Sequence, residues 1–219
     1  MRALDGVDFR LFPGEVHALM GENGAGKSTL IKVLTGVYSH DAGTIELAGQ
    51  QVSFTGPMQA AAAGVSTVYQ EVNLCANLSV AENIFIGREP RTLGAIRWGE
   101  MRRRARDLLA QLDLHIDVSQ LLGTYSLAVQ QMVAIARAID IQARVLILDE
   151  PTSSLDATEV EQLFRIMRQL REQGIAIIFV THFLDQVYGI ADRITVLRNG
   201  RLVGSTRPPS CRSSPWSRR

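Results

Sequence analysis

Gly21, Glu22, Asn23, Gly24, Ala25, Gly26, Lys27, Ser28 and Thr29 follow the pattern G-x-x-x-x-G-K-[ST], and they are the residues most able to do chemistry in this chain. In such a loop, backbone N–H groups close around a phosphate chain where a Cβ would often clash. A lysine placed like Lys27 reaches the β- and γ-phosphates, and a hydroxyl placed like that of Ser28 ligates Mg²⁺. A glycine-rich turn without a ligand is the plain alternative, but the flanking residues argue against it. Residues 15–20 read as a short buried strand, while Leu30, Ile31, Val33 and Leu34 fall at helical spacing. A bound phosphate would therefore sit at a helix N-terminus.

A second group lies in the run Val145-Leu146-Ile147-Leu148-Asp149-Glu150, an apolar strand ending in two carboxylates. Ligands of open α/β sheets bind at the C-terminal ends of strands. There Asp149 can hold the Mg²⁺ shell, and Glu150 can orient or deprotonate an attacking water. Two acids after an apolar strand are commonplace alone; beside a phosphate loop they read as functional. Gln70, at another strand end, carries an amide able to contact the metal or the water. His182 follows a third apolar strand, where its imidazole can reach a γ-phosphate. His17, His40 and His115 have no motif around them and read as structural.

Several elements must position these groups. Residues 3–11 alternate like a strand and lead into the Pro13-Gly14 turn, and residues 44–54 read as a hairpin about Gly49. Residues 58–63 suggest a short helix and residues 65–69 a strand. Between about residues 78 and 141 the pattern becomes helical. Ser79 and Glu82 form a capping box, and further helices are expected at residues 100–114 and 126–139. The strands at 145–148 and 175–180 flank a helix at 157–173, a βαβ unit with parallel strands. Residues 194–197 and 201–203 pair about Asn199-Gly200, a strong turn signal. From Ser205 the chain is rich in Ser, Arg and Pro, and residues 205–219 are expected to be a disordered tail.

Composition narrows the remaining classes. The chain has 219 residues and a formal charge of +1, which gives no reason to expect nucleic acid or an anionic bilayer as a main partner. No stretch approaches the ~20 apolar residues of a membrane span. Cys75 and Cys211 lack metal-ligand or redox spacing, so a reducing cytosolic setting is expected.

Taken in order, these motifs resemble those of the ATP-binding cassette (ABC) ATPases over about residues 3–204. The resemblance implies an α/β P-loop NTPase core with a mostly parallel sheet. It also implies an antiparallel β subdomain, incomplete at the N-terminus, and a helical subdomain at about residues 78–141, together forming a domain over residues 1–204. By the same resemblance the chain has a Walker A loop at residues 21–29, a Q-loop at Gln70 and a Walker B strand ending at Asp149 and Glu150. A D-loop at residues 153–156 and a switch histidine at His182 complete the set. ATP and Mg²⁺ are the implied ligands.

The family's signature loop, ordinarily Leu-Ser-Gly-Gly-Gln, reads here Tyr125-Ser126-Leu127-Ala128-Val129-Gln130-Gln131. Ser126 is kept and both glycines are replaced. In the family this loop binds the γ-phosphate held by an opposing domain, so the added side chains are expected to crowd that approach. The altered loop resembles monosaccharide importers of the ribose, galactose and xylose type, and residues 83–90 are worded most like a galactofuranose importer. The implied partners are a second ATPase domain in a sandwich dimer, a transmembrane sugar permease and, indirectly, a periplasmic sugar-binding protein. The implied location is the cytoplasmic face of the inner membrane, peripheral through the permease.

Such importers usually fuse two ATPase domains, of which this chain resembles the first. The family's adenine-stacking aromatic would precede Met1, and lacking it is expected to cost ~1–3 kcal/mol of adenine binding. Two other readings follow: a shortened remnant that binds ATP weakly without productive turnover, or an ABC ATPase of DNA or translation. The latter carry a long coiled coil or basic insertion, which this chain lacks.

Overall fold

The structure is a computed structural model and describes residues 3–69 and 74–208. In chain order the elements are β1 (Val16–Met20), α1 (Lys27–Leu34), β2 (Ile45–Leu47), β3 (Gln50–Val52), α2 (Pro57–Ala62), β4 (Val65–Val68) and α3 (Val80–Phe85). A small hairpin of β5 (Arg91–Thr92) and β6 (Ala95–Ile96) follows, then α4 (Trp98–Ala110) and α5 (Leu127–Asp140). The chain then runs through β7 (Val145–Asp149), α6 (Ala157–Glu172), β8 (Ala176–Val180), α7 (Leu184–Ile190), β9 (Arg193–Arg198) and β10 (Arg201–Thr206).

A six-stranded sheet in the order β10-β9-β1-β8-β7-β4 forms the centre, and only β10 runs antiparallel to its neighbour. Helices cover parallel strands on both faces, which is why β1 and β8 are apolar almost throughout and buried at every residue. The register places Leu19 beside Val180 and Asp149 beside Val180 on the other side. The C-terminal ends of β1, β7 and β8 therefore share one edge.

Helices α3, α4 and α5 pack on one another through Ile84, Phe85, Met101, Leu109, Met132 and Ile135. Asp140 at the end of α5 accepts from both Arg88 and Arg104, and the Arg104 guanidinium lies 4.8 Å from the Phe85 ring centre. Asn83, fully enclosed, folds the preceding loop onto α3. Its amide accepts from the Cys75 N–H at 2.7 Å and donates to the carbonyls of Cys75, Leu78 and Ser79. The Ser79–Glu82 capping box forms as expected, and Asp156 with Glu159 makes a second one at the start of α6.

Three expectations need correction. Residues 3–11 form no strand: Val7, Phe9 and Leu11 do face the core while Asp8 and Arg10 face solvent, but no backbone ladder partners the segment. One-sided burial alone generates the alternation. The helix expected at 100–114 spans Trp98–Ala110; the chain leaves it at Asp113, φ 55°, where the N–H of Leu114 returns to the Leu109 carbonyl. Leu112 and Leu114 stay buried beyond the helix end and so prolong its apolar pattern. Pairing with β9 also continues to Thr206, past a register shift between Leu202 and Gly204, so Ser205 and Thr206, expected to open a disordered tail, belong to a strand. Residues 209–219 lie outside the described residues. The β5–β6 hairpin and α7 had no counterpart in the sequence reading.

Candidate nucleotide site

The loop after β1 is shaped by glycines that touch the rest of the fold. A Cβ at Gly21, φ 153°, would stand 2.5 Å from the Leu197 carbonyl oxygen of β9. One at Gly26, φ 105°, would meet the Leu4 side chain at 2.9 Å. Gly26 caps α1 without a side-chain acceptor, so the first N–H groups of that helix remain available to an anion. Lys27 is buried and its ammonium donates to the carbonyls of Gly21, at 2.7 Å, and Glu22, at 3.2 Å. That holds the cation beneath the loop rather than out in water.

Opposite the loop, β7 delivers two acids. Burial pushes the Asp149 carboxyl above its ordinary range, Glu150 adds to the rise, and Lys27 opposes it. The chain turns sharply at Glu150, φ 48°, a conformation that costs a residue with a Cβ about 1 kcal/mol or more. The turn directs the Glu150 N–H to the Val180 carbonyl at 2.9 Å and brings its carboxylate 3.7 Å from Nδ1 of His182. Gly21, Glu22, Asn23, Glu150 and His182 together line a cleft of about 310 Å³.

Sequence reasoning missed the groups behind this wall. Oε1 of Gln186, in α7, accepts from the buried Thr152 hydroxyl at 2.7 Å and lies 3.5 Å from Thr181 Oγ1. Thr181 Oγ1 in turn accepts from the Phe183 N–H at 3.1 Å. No motif marks these residues, since each is a single polar side chain adjoining a motif residue.

The remaining predicted residues separate. Ser28 is exposed at the start of α1 and Thr29 half-buried behind it. Ser126 caps α5, accepting from the Val129 N–H at 3.4 Å, and does not line the cleft. Leu127 beside it is 53 % exposed, so the replaced glycine now presents an apolar side chain to solvent. Gln70 falls outside the described residues. His17 has the structural role expected of it. It is enclosed against Phe9, Nδ1 donates to the Arg10 carbonyl, and Nε2 lies 2.7 Å from Thr195 Oγ1. Burial, with the Arg193 charge, lowers its pKa to about 4, so its 4.0 Å approach to Glu15 is not an ion pair at neutral pH.

A phosphate loop between a buried parallel strand and a helix, facing acids from the next strand but one, defines a nucleotide-binding cassette of the α/β P-loop class. The ABC transporter family model matches residues 4–153, and the chain belongs to that family. It is 61 % identical over 204 residues to the galactofuranose transporter ATP-binding protein of Escherichia coli (strain K12), covering 93 % of this chain and 41 % of that protein. The fructose import ATP-binding protein of Bifidobacterium longum is 59 % identical, with 93 % and 40 % covered, and a ribose import ATP-binding protein of Rubrobacter xylanophilus 52 %, with 92 % and 40 %. The chain thus spans about two-fifths of the length of these relatives. Among solved structures it resembles a nucleotide-free ATP-binding cassette from an ABC transporter, with TM-score 0.83, 26 % identity, and 94 % and 86 % covered. A dimeric cassette bound to ADP and Pi gives TM-score 0.79 at 25 % identity, with 94 % and 91 % covered.

Proposed function

We propose that this chain binds and hydrolyses ATP and so powers a monosaccharide importer. The observation that carries the hydrolytic reading is the shared strand edge, where Glu150 and His182 line one cleft with the phosphate loop and the Asp149 carboxyl feels the charges of Lys27 and Glu150. In this reading the loop from Gly21 to Thr29 cradles the phosphates, and Lys27 exchanges its two carbonyl partners for phosphate oxygens. Glu150 positions or deprotonates the attacking water, and His182 contacts the γ-phosphate. Gln70 is assigned to the metal or the water.

Among the described residues no group of three or more His, Cys, Asp or Glu converges on a metal position. The donors fit Mg²⁺ all the same, because that ion is commonly held with nucleotides by one or two protein oxygens, phosphate and water. Ser28 and Asp149 supply those oxygens, and Asp149, raised by burial and by its acidic neighbour, is a group that a divalent cation stabilises as carboxylate. When bound, the ion neutralises charge developing on the phosphates.

The sugar class follows from relatives named for galactofuranose, fructose and ribose. The proposed partners are a second ATPase domain, facing Ser126 across a sandwich dimer, a permease, and through it a periplasmic sugar-binding protein; nucleic acid is not among them. No described helix is long and apolar enough to cross a membrane, and attachment to the cytoplasmic face of the inner membrane is assigned to the permease. The cassette expected over residues 1–204 runs on through β10 to Thr206, with the segment at about 78–141 as its helical subdomain. The test is Mg²⁺-dependent phosphate release by the purified chain beside Glu150→Gln and Lys27→Ala. Equal rates in all three proteins would sink the hydrolytic reading. ATP-driven sugar uptake after reconstitution with a candidate permease tests the transport half.

A further inference from the structure

Gln186 bridges two segments that carry reacting groups. Thr152 lies two residues after Glu150, and Thr181 immediately precedes His182. Both threonines are buried, with 4 % and 1 % exposure, and the Gln186 amide oxygen faces both hydroxyls. Because Thr181 Oγ1 accepts from the Phe183 N–H, its own proton is free to point at Gln186. Among the described residues, the other polar ties between the segments are the Glu150 N–H to the Val180 carbonyl and the 3.7 Å approach of Glu150 to His182. Backbone pairing sets the register of the strands but does not itself tie the loop after Glu150 to the segment that follows His182. The Thr152–Gln186 bond makes that tie.

We propose that Gln186 is a positioning residue that locks the loop behind Glu150 to the His182 strand end, fixing the separation of the two groups during hydrolysis. This rests on the hydrolytic reading of the cleft. Gln186 touches neither the phosphate loop nor Lys27 in any observed hydrogen bond, so nucleotide affinity should be indifferent to it.

The test compares Gln186→Leu, which removes the acceptor, with Gln186→Glu, which keeps it. Small misplacements of catalytic groups cost large factors in rate, so kcat for ATP should fall about ten- to hundredfold in the leucine variant. KM should stay within about twofold, and the glutamate variant should recover most of the rate. Unchanged kcat in Gln186→Leu, a loss in KM as large as that in kcat, or equal losses in both variants would overturn the proposal. If the parent chain turns over no faster than Glu150→Gln, the hydrolytic reading has failed, and the lock is then judged by NMR. Substituting Glu150→Gln should move the His182 imidazole resonances in the parent and in Gln186→Glu, but far less in Gln186→Leu. The same movement in all three backgrounds overturns the lock.

Discussion

Replacing Gly21 by alanine tests how tightly the phosphate loop is set against the sheet. The new Cβ would lie 2.5 Å from the Leu197 carbonyl oxygen and 2.9 Å from the Ala25 Cβ. The first distance is roughly 1 Å short of an unstrained approach. The carbonyl cannot easily withdraw, because β9 is held on one side by β1 and on the other by β10, where Leu197 pairs with Leu202. The φ of 153° adds backbone strain of ~1–3 kcal/mol for a residue with a side chain. Overpacking adds ~1–3 kcal/mol more. A total of about 2–6 kcal/mol lowers Tm by roughly 4–24 °C in a domain of this size. Gly24→Ala is the control: its φ of 81° is also positive, but nothing lies within 4 Å of the added carbon. It should cost much less, about 1 kcal/mol. Thermal unfolding followed by circular dichroism measures both. A Gly21→Ala midpoint within 2 °C of the parent, or no lower than that of Gly24→Ala, would refute the close approach.

Because the folded His17 takes its proton only near pH 4 while the unfolded one takes it near 6.5, the folded state loses stability as pH falls through that window. The loss should total about 3 kcal/mol, and His17→Gln should flatten that part of a urea-midpoint profile. Asp149 runs the other way: its raised pKa makes the buried carboxylate a burden at neutral pH, so Asp149→Asn should raise Tm while weakening Mg²⁺-dependent ATP binding. Calorimetry and titration read the two effects. Asn83→Ala strands the Cys75 N–H and takes a second donor from three carbonyls that keep backbone partners, and should cost about 1–3 kcal/mol by denaturant melts.

The legible parts of the site are those written in contiguous residues. The loop at 21–29, the acids closing β7 and His182 beyond β8 each follow an apolar run, and parallel pairing brings those run ends to one edge. Residues 3–11 misled because alternation reports which way side chains face and not whether the backbone has a partner. The β5–β6 hairpin escaped notice because its turn residue Leu93, φ 50°, is fully exposed, contrary to what an apolar residue suggests. Gln186 was invisible for another reason: its tie to Thr152 spans 34 positions, and neither residue type is unusual where it stands.

The position of β1 has a consequence for the order in which the protein is made. Both neighbours of the strand, β8 and β9, come from the last quarter of the chain, and the Ala25 carbonyl is held by the Gly200 N–H. At ~5–20 residues per second, a ribosome that has finished β1 needs roughly 10–30 s more to supply those partners. Throughout that interval the nascent chain carries an apolar strand with two open edges and a phosphate loop with no backing. Nucleotide therefore cannot template the early steps of folding, and the exposed strand is where a chaperone would bind first.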